Sequence, residues 1–247
     1  MTTSKGAHMG RIRIGLTALA IIALWGHPSP AWSVDGTVEF YVDGSKVGEL
    51  ECQEFPTAKP IKLAGRSGSC GTDHGSGLFD NASIEILSPR GTVVCDQDFT
   101  CFETGYWTLY GSPLPVVAVD AGNPAPCLMS AGDSWYDSGV ASQALYDWSG
   151  GFVFTADVRV GQNEKFHGVE MGIADEDTPS GEGLGHSIGM QWGTSGAGEL
   201  LLQMDTDAER VTLPGPPVGE WHTFEIVGIP STAVEHTTWG EVKRLYR

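Results

Sequence analysis

The chain has 247 residues, 40% hydrophobic and 18% charged, and a formal net charge of −17. That is apolar material for one large domain or two small ones. An acidic excess of this size repels nucleic acid and anionic lipid, leaving neutral ligands and cations as partners.

In chain order, the first element is a leader. Lys5, Arg11 and Arg13 precede or border an apolar run over 14–25, and Ala31-Trp32-Ser33 fits a small-x-small cleavage site. Residues 1–33 therefore read as a signal peptide, with Met9 as an alternative start. The expected location is secreted or cell-surface, extracellular or periplasmic. The run's 12 residues are too few to span a bilayer and no later run is long enough, so no membrane span is expected. No Cys sits at the cleavage site, which argues against a lipid anchor. Removing the leader's three cations takes the net charge from −17 to −20.

Residues 35–50, "DGTVEFYVDGSKVGEL", predict a hairpin. Val38, Phe40 and Val42 alternate with Thr37, Glu39 and Tyr41, and Asp43-Gly44 is a turn signal. "ASIEIL" (82–87) alternates, "SPRG" turns and "TVVC" follows. Further strands are predicted at 152–160, 168–174, 186–192, 199–204, 209–213 and 221–227. In 152–160, Phe152, Phe154, Ala156, Val158 and Val160 share one face, while Thr155, Asp157 and Arg159 share the other. One apolar and one polar face indicate an antiparallel sheet. With no amphipathic helix before residue 236, the pattern predicts a β-sandwich. In the tail, Thr238 and Glu241 form a capping box, and Trp239, Val242, Leu245 and Tyr246 share one face of a short helix.

Five Cys in an exported chain point to disulfides, with Cys95–Cys101 and Cys52–Cys70 as one pairing among fifteen and Cys127 left over. None has the C-x-x-C spacing of a zinc or redox site. "GHSIG" (185–189) matches G-x-S-x-G, but no hydrophobic strand precedes it and a Gly-rich loop, not a helix, follows, so Ser187 reads as a strand residue. "GEGLG" and "GTSGAG" read as turns rather than phosphate loops.

Several segments resemble concanavalin A-like lectin/glucanase domains, the group that includes laminin-G-like modules. "SGGFVFTADVRVGQNEKFHGVEMGIAD" (149–175) resembles an early strand pair of that group, and "GEWHTFEIVG" (219–228) its W-H-x-F-x-I strand. "GTVEFYVDGSKVG" with "IKLAGRSGSCGTDHGSGLFDNASIEI" resembles the closing segment, and "DQDFTCFETGYWTLYGSP" (96–113) the opening one. The closing segment precedes the opening one here, so the resemblance implies a circular permutation: a single sandwich cut between "WHTFEIVG" and "DGTVEFYVDG" and closed across "SPRG". The alternative is a pair of fragments from neighbouring repeats, which would leave long unpaired edges.

The resemblance implies a sugar-binding sheet face, for which the candidates are Trp135, Tyr136, His167, Glu170, Gln191 and Trp192. Aromatic faces suit sugar C–H surfaces, and amides, acids and His suit hydroxyls. Each also has a plain structural reading: Trp192 shares a face with Ile188 and Met190, His167 borders a loop, and Trp135-Tyr136 fits an edge cover. The group's glucanases carry an E-x-D-x-x-E trio. Here Glu170 is followed two places on by Gly172, with no acid in the third position, so no catalytic residues are expected. The resemblance also implies a structural Ca²⁺ held by Asp80 with the region around Asp98 and Gly105, although Asp80 also suits a turn cap.

The sequence thus predicts an all-β, antiparallel jelly-roll β-sandwich of the concanavalin A-like type over 34–229, followed by a tail, 230–247, with a short helix. The expected function is a secreted, non-catalytic, carbohydrate-binding module whose partner is a glycan or polysaccharide. The alternatives are a structural or adhesive surface module without a small-ligand site, and a glycoside hydrolase on the same fold.

Overall fold

The computed structural model describes residues 36–52, 54–67, 75–88, 91–100, 105–112, 114–132, 137–160, 167–174, 186–193, 198–204 and 209–231. The predicted leader and all but the first two residues of the predicted tail lie outside these. Fifteen strands run in chain order: β1 (Gly36–Val42), β2 (Ser45–Cys52), β3 (Ile61–Ser67), β4 (Gly75–Ile86), β5 (Thr92–Gln97), β6 (Trp107–Tyr110), β7 (Val116–Ala118), β8 (Cys127–Gly132), β9 (Asp137–Ser142), β10 (Phe152–Val160), β11 (His167–Ala174), β12 (His186–Trp192), β13 (Glu199–Met204), β14 (Glu209–Pro214) and β15 (His222–Pro230). No helix of the described residues is long and apolar enough to cross a membrane.

The strands form two antiparallel sheets packed as a sandwich. One has eight strands, in the order β2-β1-β15-β10-β4-β8-β7, with β5 also paired to β4. The other has seven, in the order β14-β13-β12-β11-β3-β9-β6. Alternating side chains send one face of each sheet inward. Phe40, Phe79, Phe154 and Phe224 from the first sheet meet Leu63, Met171, Met190 and Leu202 from the second in one core cluster. The prediction for β10 holds residue by residue: Phe152, Phe154, Ala156, Val158 and Val160 are buried, and the intervening residues are only half-buried.

The opening hairpin does not stand alone. β1 pairs with β15 over its whole length, from Gly36 opposite Pro230 to Val42 opposite Phe224. The first and last described strands therefore complete one sheet within a single molecule. Asp43, at φ 49°, ties the β1–β2 turn to β15: its carboxylate accepts from Thr223 N–H at 2.9 Å, and its own N–H donates to Thr223 O at 2.8 Å. At the other predicted join, β4 and β5 pair antiparallel across residues 87–91.

The sheets approach closely where side chains are missing. A Cβ on Gly65 of β3 would lie 2.3 Å from the Ser130 carbonyl oxygen of β8 in the opposite sheet. The obstacle is backbone, which cannot swing aside, so Gly65→Ala forces the sheets apart locally. The expected result is a loss of about 1–3 kcal/mol in urea denaturation; an unchanged midpoint would refute the close approach.

Cys52, Cys95 and Cys127 are buried, and no disulfide joins any two of them. Cys70 and Cys101, the other members of the expected pairs, lie outside the described residues. Burial, and then the neighbouring Asp80 carboxylate, push the Cys127 thiol up to about 11. It is therefore a core thiol, not a reactive one. Ser187 lies in β12, between antiparallel β11 and β13, and not on a strand-to-helix turn.

Candidate functional site

The face of the seven-stranded sheet turned away from the core is built from ladder register. Val169, Met171 and Ile173 of β11 enter the core, so Glu170 and Gly172 face outward. The same rule turns Lys62 and Ala64 of β3 outward, with Gly189 and Gln191 of β12 and Leu201 and Gln203 of β13. Pairing aligns these residues in two rows across the strands. The first runs Thr108, Ala141, Lys62, Gly172, Gly189, Gln203, Arg210. The second runs Tyr110, Gly139, Ala64, Glu170, Gln191, Leu201, Thr212. In the first row Gly172 and Gly189 lie between Lys62 and Gln203; in the second, Leu201 lies between Gln191 and Thr212.

Two diagonal contacts join the rows. Lys62 Nζ lies 3.0 Å from Glu170 Oε2, with side-chain exposures of 0% and 1%. Gln191 Nε2 donates to Gln203 Oε1 at 3.2 Å, and both residues are buried. In each case the residue directly opposite is a glycine, Gly172 facing Lys62 and Gly189 facing Gln203, which leaves the diagonal open to a long side chain. Exposure falls from the ends of the rows, where Thr108, Arg210 and Thr212 are exposed, to the buried centre. A buried cation, a buried carboxylate and two buried amides on the outward face of a sandwich are costly to retain for stability alone.

Of the sequence candidates, Glu170 and Gln191 are brought together as direct cross-strand partners on this face. Trp192 is not among them. It is fully buried on the core side, its ring 5.3 Å from His222 and 5.5 Å from Phe224, and its Nε1 donates to Pro216 O at 3.2 Å. Its expected role as a sugar platform gives way to packing, because strand alternation points it opposite to Gln191. His167 begins β11 opposite Ser67, while Trp135 and Tyr136 lie outside the described residues. Sequence reading missed Lys62 and Gln203. A lysine alternating with Ile61 and Leu63 in "PIKLAG" was the available signal for the first.

Of the residues expected to hold Ca²⁺, two are engaged by hydrogen bonds. Asp80 is buried in the middle of β4, where its Oδ1 accepts from Asn81 N–H at 2.8 Å and its Oδ2 from Asn123 N–H at 2.6 Å. Asp98 is exposed and engaged by Thr100, whose N–H and hydroxyl donate to its Oδ1 at 3.0 and 2.9 Å and hold its carboxyl below the usual range. Gly105 is an exposed turn residue. The polar neighbour that sequence reading missed is Asp157, which accepts from Asn81 Nδ2 at 2.9 Å and Thr223 Oγ1 at 2.6 Å. Among the described residues no group of three His, Cys, Asp or Glu is placed to hold a metal ion.

Asp80 also pins the 119–126 connection to β4 through Asn123. Burial, with Asp157 and Asp98 nearby, raises its carboxyl above the ordinary value. Its contribution to stability is therefore greatest below the unfolded aspartate range, about 3.9, and is lost as pH climbs through the raised folded value. Asp80→Asn removes that acid-range slope and leaves one N–H without an acceptor. The expected cost at neutral pH is about 1–3 kcal/mol, read from denaturation curves across pH.

No family model, curated protein or solved structure matches the chain. The functional reading therefore stands on the geometry of the polar rows.

Proposed function

We propose that this protein is a glycan-binding module whose ligand face is the outward face of the seven-stranded sheet. The observation that carries this reading is the alignment of Lys62, Glu170, Gln191 and Gln203 in adjacent rows on one face of the seven-stranded sheet. Amides and a carboxylate match hydroxyls, which both donate and accept. A small set of placed polar groups is how sites fix the orientation of a neutral ligand; here the four are at most 4% exposed, and the exposed members of the rows are Thr108, Arg210 and Thr212. A net charge of −17 over the chain disfavours polyanions. The leader pattern adds export to the reading.

The fold relationship belongs to the same proposal: a concanavalin A-like sandwich in circularly permuted order. Gly36 and Pro230 oppose each other at the end of one ladder, so a short turn would join them. β4 and β5 pair with only residues 87–91 between them. A chain rewired to connect 231 to 36 through a few residues and opened within 88–91 is expected to keep its far-ultraviolet spectrum and a cooperative unfolding transition. Failure to fold would argue against permutation.

The reading is tested by screening the protein against neutral and acidic oligosaccharides, with and without Ca²⁺, beside Gln191→Ala. Binding that weakens about tenfold or more in a folded Gln191→Ala supports it. Absence of binding to every glycan in the panel refutes it and favours a structural surface module.

A further inference from the structure

We infer that β7 is the contact edge of a dimer, in which two copies of this chain continue one sheet through antiparallel β7–β7 pairing. β7 ends the eight-stranded sheet, and among the described strands it pairs with β8 alone. Its other edge presents backbone N–H and C=O groups that a further strand would satisfy. The side chains there are apolar and exposed: Leu114 by 55%, Val116 by 49% and Val119 by 72%. No residue from 114 to 119 is charged. Val116 carries the patch onto the outward face of the sheet, in a row with half-buried Met129 of β8 and Leu78 of β4. The opposite edge of the same sheet, β2, is guarded instead by exposed Lys46, Glu49 and Glu51, a common device against edge pairing. Two features favour a second copy as the occupant. An antiparallel strand is its own complement about a two-fold axis: pairing centred on Val117 sets Val116 opposite Ala118 of the second copy. Copies that each carry a net charge of −17 repel, and this uncharged stretch is a place where they can approach. Because β2 is charged, the sheet grows at one end only, which closes a dimer and stops a fibre. A three-residue strand lies at the small end of interface sizes, so the dimer is a weak one.

The test is analytical ultracentrifugation over a concentration series, with hydrogen exchange read at the β7 amides. Wild type is expected to dimerise with a dissociation constant on the order of 100 µM. High salt should tighten the dimer, since screening weakens the repulsion between acidic copies and leaves the apolar contact. The β7 amides should gain protection as concentration rises. Val116→Glu sets a carboxylate in the pairing and is expected to weaken the dimer at least about tenfold. Val119→Glu, at a position 72% exposed, serves the same purpose if Val116→Glu does not fold. A wild type that stays monomeric at concentrations on the order of 1 mM overturns the inference and leaves the edge to a different partner. A dimer unaffected by either folded variant also overturns it, because the contact then lies elsewhere. So do β7 amides protected equally at every concentration, which would mean that the chain's own residues cover the edge. The glycan-binding reading concerns the other sheet, and none of these outcomes bears on it.

Discussion

Replacing Lys62 with Met is expected to cost about 3–5 kcal/mol of stability. The loss comes less from the missing attraction than from what remains. Glu170 keeps 1% of its side-chain surface exposed, so its carboxylate would stay buried without the cation that sits 3.0 Å away. Its cross-strand neighbours are Ala64, which offers no donor side chain, and Gln191, whose Nε2 donates to Gln203 Oε1. The double variant Lys62→Met with Glu170→Gln removes both charges and should recover most of the loss, since replacing a buried pair by neutral groups of similar volume is often close to neutral. A double-mutant cycle in urea isolates this coupling. Additive losses would show that the pair contributes nothing as a pair.

The second large effect is expected at Trp192. Trp192→Ala empties the space between His222 and Phe224 and deletes the donor to Pro216 O. Truncation of a buried aromatic of this size costs about 3–5 kcal/mol, as lost transfer energy plus the cavity left behind. Trp192→Phe keeps an aromatic filler and should lose less. Glycan affinity of the folded Trp192→Phe is expected to match wild type, because Trp192 faces the core while Gln191 faces outward. A Trp192→Phe protein of unchanged stability but impaired binding would return Trp192 to the ligand face.

These two residues mark the boundary of what could be read from the chain. Strand-forming alternation was plain wherever large apolar residues alternate with polar ones, as in β1, β10 and β15, because a half-buried strand writes its two faces into a period of two. It was faint in β8, "CLMSAG", and β9, "DSGVAS", where small residues carry little hydrophobic contrast. β3 is legible only as part of a longer segment, since "IKLAGRS" has two large apolar residues and a glycine imposed by the opposite sheet. Glu170 and Gln191 could be nominated from their strands. That they stand directly opposite each other required the β11–β12 register.

The amino-acid order alone determined that this is a strand-built, acidic protein with inward and outward residues assigned along its longest strands, because side-chain chemistry and spacing act locally. Only the tertiary structure decided that β1 closes on β15, that Trp192 belongs to the core, and that Lys62 meets Glu170. Those contacts join residues 108 positions apart or more in two of the three cases. No local propensity encodes them: they arise when each sheet must satisfy its edge hydrogen bonds and bury its apolar face at the same time.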